Sequence, residues 1–271
     1  MKNLNKYKLN TYPSPIDKRD WKYGSRLSTT LAKLPETLDL RSDMFNIRDQ
    51  GTQGSCAAMA GSAMKDWQEI KDIYITEYTS PQFIYNNREN SPGEGMYMRD
   101  LMKILKIKGV CFENSHPYGN KTVPSQKAYD EAKNHTVEAY FEVNSIIDLK
   151  SALNANGPCI IAVPVFNYTG RMWHQFPGQP LLGGHAMTVV GYDGKGFIIR
   201  NSWGTNWQDD GYTTFPYEDW GSQWEIWTSV DTESMPNSKP TPDPIPDPKG
   251  GCLRVAIFVG LILTSLGLLI I

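Results

Sequence analysis

Cysteine and histidine are scarce in this sequence. Four of each in 271 residues are too few for a disulfide scaffold. Neither C-x-x-C nor H-E-x-x-H occurs, so no metal centre and no cofactor are expected. A concentrated basic block is also missing. The 27 Lys+Arg against 29 Asp+Glu give a net charge of −2 and a pI near 6.1, which argues against nucleic acid as the main partner. With 21% charged and 40% hydrophobic residues, the chain is neither globally disordered nor a polytopic membrane protein. Residues 1–15 lack the apolar stretch of a secretory signal, so no targeting peptide is expected there. No internal repeat occurs.

What is present divides into four stretches. Residues 1–33 form a polar leader with scattered charges, one tryptophan (Trp21) and no sustained period, expected to lie extended on or before the domain. Residues 34–234 hold the domain. From Cys56 to Asp72 the run CAAMAGSAMKDWQEIKD combines helix formers with apolar residues at helical spacing. A second helix is predicted from about Tyr97 to Lys108, ended by Gly109. After about Val137 the texture changes to short β-branched runs, Ile160–Val163, Ala186–Tyr192 and Phe197–Arg200, bounded by Gly, Pro or Asp. Helices first and strands later predict an α+β fold.

Residues 235–252 are proline-rich, with proline at 236, 240, 242, 244, 246 and 248. Proline fixes φ and removes the N–H, so an extended spacer is expected, spanning roughly 40 Å at ~3.1 Å per residue. Residues 253–271 follow, and Val255–Ile271 carries no charge. At ~1.5 Å rise per residue that run makes a helix of roughly 25 Å, the short end of what crosses a bilayer. The proline spacer separates it from the domain, so a C-terminal transmembrane helix is expected rather than a core helix. Lys249 and Arg254 on its amino-terminal side favour a cytosolic domain, a tail-anchored arrangement in a cell or virion membrane. Cys252 beside it reads as a plain juxtamembrane thiol rather than a palmitoylated one. The mean hydropathy of −0.44 therefore averages unlike parts.

Three strings carry chemistry: Gln50-Gly51-Thr52-Gln53-Gly54-Ser55-Cys56-Ala57, Gly183-Gly184-His185-Ala186 and Arg200-Asn201-Ser202-Trp203-Gly204. A cysteine in the first turn of a helix sits at the positive end of the macrodipole, which stabilises its thiolate. A histidine can then donate a proton to a leaving amine, and an asparagine can fix the ring's tautomer. The Cys56 N–H and the Gln50 side-chain amide are suited to receive an oxyanion.

These strings resemble the papain-like cysteine proteases, over roughly Leu34 to Val230. Cys56 matches the nucleophile, His185 the base and acid, Asn201 the orienting amide and Gln50 the oxyanion glutamine. The separations of 129 residues from Cys56 to His185 and 16 from His185 to Asn201 agree with the family signature. Leu34-Pro35-Glu36 with Asp39-Leu40-Arg41 looks like a mature amino terminus. Trp203, with Trp207, looks like the shield of the His–Asn bond. Gly95 and Met96 stand where relatives bind substrate backbone and one side chain, with Met96 in place of a glycine. The resemblance implies a two-lobed papain-like fold, helical from about residue 50 to 135 and β-rich from about 136 to 232, with the cleft between.

The sequence departs from the family pattern at Gln53 and Gly93, which replace both ends of one disulfide, and at Ala57, which replaces a tryptophan. The short leader looks like that of bacterial and large-DNA-virus relatives, and the resemblance implies a zymogen whose leader is removed near Leu34. His174, the competing base, has no asparagine at the required offset. His116 and His135 are expected on the surface or in turns, and Cys111 and Cys159 as small core residues. Asn120, Asn134 and Asn167 head glycosylation sequons that matter only in a lumenal domain. The expected function is a membrane-anchored cysteine endopeptidase, with peptide or protein substrates and the lipid bilayer as partners. The oligomeric state is not legible. Two alternatives are a catalytically silent, membrane-tethered binding or structural protein and a thiol-dependent amidase or acyl transferase.

Overall fold

Helices dominate the first half of the domain and strands the second. In chain order the elements are β1 (Thr11–Tyr12), α1 (Tyr23–Arg26), β2 (Leu38–Asp39), α2 (Cys56–Ile73), α3 (Pro81–Asn86), β3 (Met96–Tyr97), α4 (Met98–Ile107) and α5 (Gln126–Ala132). Then come β4 (Val137–Glu142), α6 (Ile146–Asn156), β5 (Cys159–Val165), β6 (Gly183–Tyr192), β7 (Gly196–Arg200), β8 (Tyr212–Pro216) and β9 (Glu225–Asp231). This computed structural model describes residues 7–26 and 34–232. The proline-rich spacer, the expected transmembrane helix and Cys252 lie outside the described residues. Among the described residues, no helix is long and apolar enough to cross a membrane.

Small side chains shape α2. Ala57, Ala58, Ala60 and Gly61 are buried and bring the helix close to its neighbours. A Cβ added at Gly61 would stand 2.5 Å from a Leu101 methyl on α4, so these two helices pack without space for one more carbon. Serine caps start three other helices. The hydroxyls of Ser80, Ser125 and Ser145 accept from the N–H groups of Phe83, Ala128 and Asp148, and Pro81 occupies the first turn of α3. Gly109, just past α4, has φ +74°, and a Cβ there would lie 1.8 Å from the Ala132 carbonyl.

The large sheet runs β4-β9-β5-β6-β7-β8, and β2 pairs with β6. Its described pairings are all antiparallel. Along β5 successive residues enter opposite cores. Cys159, Ile161, Val163 and Val165 pack with α6 residues Leu149 and Leu153, whereas Ile160 and Ala162 pack with α2 and α4. Coverage on both faces explains why CIIAVPV is buried throughout and reads as an unbroken apolar run.

Two histidines lie at turns, as one branch of the sequence reading has it, but not on the surface. His116 is 2% exposed and its Nε2 lies 2.9 Å from Asn86 Nδ2; His135 is 6% exposed and its Nδ1 lies 2.8 Å from Glu69 Oε2. Each sits in a loop by sequence, but its partner comes from a distant helix, and a buried polar ring needs such a partner. Glu69 is also paired with buried Lys65, which in turn reaches Asp231 on β9. Cys111 and Cys159 are fully buried free thiols.

Candidate active site

Cys56 is the first residue of α2 and has no exposed surface. Its Sγ lies 2.9 Å from Thr11 Oγ1 and is approached by the backbone N–H groups of Ala186, Ala57 and Asn10. Those donors favour the thiolate, but burial outweighs them and pushes the thiol pKa up.

His185 enters from β6, opposite Val163 of β5. Its Nε2 lies 2.7 Å from Asn201 Oδ1, which also accepts from the Ser202 N–H at 2.7 Å. An amide oxygen can only accept, so Nε2 carries the proton and Nδ1 is left as the free position. Nδ1 is buried without a hydrogen-bond partner. The Trp203 ring covers the pair, its centroid 4.5 Å from the imidazole. Burial lowers the His185 pKa to about 4, against the opposing effect of Asn201.

Gln50 is fixed to the same loop. Its Oε1 accepts from Ser202 Oγ at 2.8 Å, and its Nε2 donates to Gln53 O at 3.0 Å. Tyr118 Oη donates to Gln50 O at 2.8 Å and lies 2.6 Å from Ser55 Oγ. Gln53, standing where the resemblance expects a cysteine, donates instead to Gln82 Oε1 at 3.0 Å, and Ala57 packs in the helical core.

The cleft is filled by the leader. Tyr7 stacks on Trp203 with centroids 4.7 Å apart and planes 9° from parallel. The Leu9 carbonyl accepts from Gly184 N–H at 3.3 Å and the Asn10 carbonyl from Met96 N–H at 3.2 Å. β1 then runs parallel to β3, with Thr11 opposite Met96. Lys8 pairs with Glu94, whose other oxygen accepts from Asn10 Nδ2 at 3.0 Å. Ser14 donates through its N–H and hydroxyl to Glu225 Oε1, at 2.9 and 3.1 Å.

Gly95 and Met96 thus face the leader through their backbone. Gly95 has φ +76°, and a Cβ there would fall 1.9 Å from the Asn10 carbonyl. The Met96 side chain turns into the helical core, 1% exposed. Beside the cleft lies a cavity of about 700 Å³ lined by Gln50, Gln53, Glu94 and Tyr118 among others. Among the described residues, no group of three or more His, Cys, Asp or Glu could hold a metal.

The structure therefore brings Cys56, His185, Asn201, Gln50 and Trp203 together around one cleft and leaves His174 outside this constellation. Sequence reasoning missed Tyr7, Asn10, Thr11, Glu94 and Glu225. Their pairings span 42 to 211 residues in the chain, and no local pattern marks them.

The model for "Papain family cysteine protease" matches residues 34–229. An uncharacterized peptidase C1-like protein of Acanthamoeba polyphaga mimivirus is 33% identical over 198 residues, 63% of this chain and 64% of that protein. Cysteine proteinase 3 of Entamoeba histolytica is 28% identical, over 69% of this chain and 65% of its own. The chain thus spans a little under two thirds of the length of the curated relatives it matches first. Among solved structures, xylellain, a cysteine protease from Xylella fastidiosa, superposes with TM-score 0.75 at 30% identity, over 86% of this chain and 99% of that one. Digestive procathepsin L 3 of Tenebrio molitor, 20% identical with TM-score 0.63 over 78% and 73%, shares the fold. With a cysteine at the head of α2, a histidine bonded to an asparagine across the cleft and a family model spanning both lobes, this chain belongs to the papain family of cysteine proteases.

Proposed function

We propose that the chain is a membrane-anchored cysteine endopeptidase made in a form whose leader blocks the cleft. The observation that carries this reading is the meeting of Cys56 Sγ, the Ala186 N–H beside His185 and the His185–Asn201 bond at the base of one peptide-filled groove.

In the open enzyme Cys56 attacks a peptide carbonyl, and the Cys56 N–H with Gln50 Nε2 receives the oxyanion. His185, holding the thiol proton, passes it to the leaving amine as the C–N bond breaks and a thioester remains. Water, deprotonated by His185, then releases the acid and regenerates the thiol. Asn201 keeps the imidazole in register throughout, because Nε2 stays engaged while Nδ1 exchanges the proton.

The same geometry explains why the leader can be held without being cut. Its Leu9 and Asn10 carbonyls are engaged by Gly184 and Met96, and the Lys8 carbonyl reaches Gln50 Nε2 only at 3.5 Å. Burial also favours neutral thiol and imidazole over their charged pair, against the hydrogen bonds from Thr11 and Asn10 to the sulfur.

A thiol-directed epoxide tests the reading. Protein freed of residues 7–14 should be labelled and should cleave a mixed peptide library, and Cys56→Ala should do neither. Labelling that persists in Cys56→Ala would remove Cys56 as the nucleophile. The anchor rests on the uncharged run Val255–Ile271, and the cytosolic orientation on Lys249 and Arg254.

A further inference from the structure

The leader is held on both sides of an exposed turn. From Tyr7 to Ser14 it lies in the cleft, with Tyr7 and Leu9 buried in the core, bonded to Gly184, Met96 and Glu225 and, through Thr11, to Cys56, which the proposed mechanism needs free. From Asp20 to Tyr23 it is fastened to the body of the domain, Asp20 to Arg99 on α4 and residues 21–23 to β4. Tyr23 is 3% exposed and sits in the hydrophobic core between the sheet and α6, edge-on to Phe141 at 6.2 Å. Trp21 packs at 5.8 Å on the same ring, and its carbonyl accepts from the Glu142 N–H at 2.8 Å. Lys22 pairs with Glu142 and forms a β-bridge with it. Asp20 takes the Arg99 guanidinium at a site where both side chains are largely buried, 7% and 12% exposed.

Between these halves the chain stands in water. Ile16 is 99% exposed and the Arg19 side chain 89%. The stretch closes on itself, since Arg19 bonds the Asp17 carboxylate and the Asp20 N–H bonds the Asp17 carbonyl at 3.1 Å. Arg99 grips both ends, at the Pro15 carbonyl (2.6 Å) and at Asp20, and leaves Lys18-Arg19 as an exposed basic tip. An exposed loop tip is the preferred place for a peptidase to nick a folded chain.

We propose that Lys18-Arg19 is the activating cleavage site, cut by a peptidase that takes a basic residue, and that residues 20–26 remain as a permanent part of the mature enzyme. The boundary thus moves from near Leu34 to the middle of the leader. Cutting makes the cleft-bound half a separate peptide. Its attachment to the cleft changes from intramolecular, at a high effective concentration, to bimolecular, and dilution removes it. The other half stays because it remains joined to the domain through the chain, and its Tyr23 stays packed in the core.

Activation in this scheme rests on the peptidase reading; the cleavage pattern does not, so Cys56→Ala protein is the first substrate. Brief trypsin treatment of the full chain should give a first product beginning at Arg19 or Asp20, with the upstream peptide lost on gel filtration and residues 20–26 co-eluting with the domain. A first cut elsewhere, or loss of residues 20–26 from the domain, would overturn the proposal. Lys18→Ala/Arg19→Ala should resist that first cut.

Wild-type protein clipped in the same way should gain epoxide labelling. Clipping as described without any gain would spare the two-part leader and sink the peptidase reading. In the clipped protein, Tyr23→Ala should lower the melting temperature by about 5 °C, the loss of one buried aromatic. No change would show that this half is dispensable.

Discussion

At Cys56 the helix terminus, the Thr11 hydroxyl and three backbone N–H groups favour a thiolate while complete burial favours the thiol, and burial prevails. The same contest recurs ten residues along α2. Asp66 is fully buried, accepting from the Thr79 N–H at 2.7 Å and hydroxyl at 2.8 Å, and burial raises its pKa from 3.8 to about 7. The folded state therefore holds this proton up to near pH 7, whereas the unfolded chain releases it near pH 4. Stability from this group is complete below about pH 4 and falls as pH rises towards 7. Asp66→Asn keeps an acceptor oxygen for Thr79 and cannot ionise. Its melting temperature should gain on that of the parent as pH rises from 4 to 8, as thermal scans across that range would show. A constant gap would mean that Asp66 ionises in the folded chain as it does in water.

Among the elements, α2 was legible because its run of small and apolar residues is local, and the Cys, His and Asn strings were legible because each is contiguous. The course of the leader was not. Thr11 meets Met96 and Ser14 meets Glu225 through pairings that periodicity cannot register. His116 and His135 lie at turns as read, but their burial was not legible for the same reason, their partners Asn86 and Glu69 lying 30 and 66 residues away. Helix α6 was also passed over, although Ser145 caps it and Leu149 and Leu153 fasten it to the sheet. Packing between α2 and α4 makes its own prediction. Gly61→Ala introduces a carbon 2.5 Å from Leu101 and should cost about 1–3 kcal/mol, read from urea unfolding. An unchanged midpoint would show that Leu101 can turn aside freely.

For the whole molecule, the proposed spacer and anchor would confine the enzyme to a surface. The full chain should stay with membranes through an alkaline carbonate wash and a chain ending at residue 234 should be released. Release of both would remove the anchor from the account. Whichever way that falls, the leader has a chemical effect apart from blocking peptides. Oxidation to sulfenic acid requires a thiolate that peroxide can reach, and higher oxidation states of cysteine are not restored by ordinary thiols. Burial favours the thiol form of Cys56, and its side chain has no exposed surface. In the proposed precursor the sulfur would thus be sheltered from peroxide, and removal of the leader would expose it to oxidation and to substrate together.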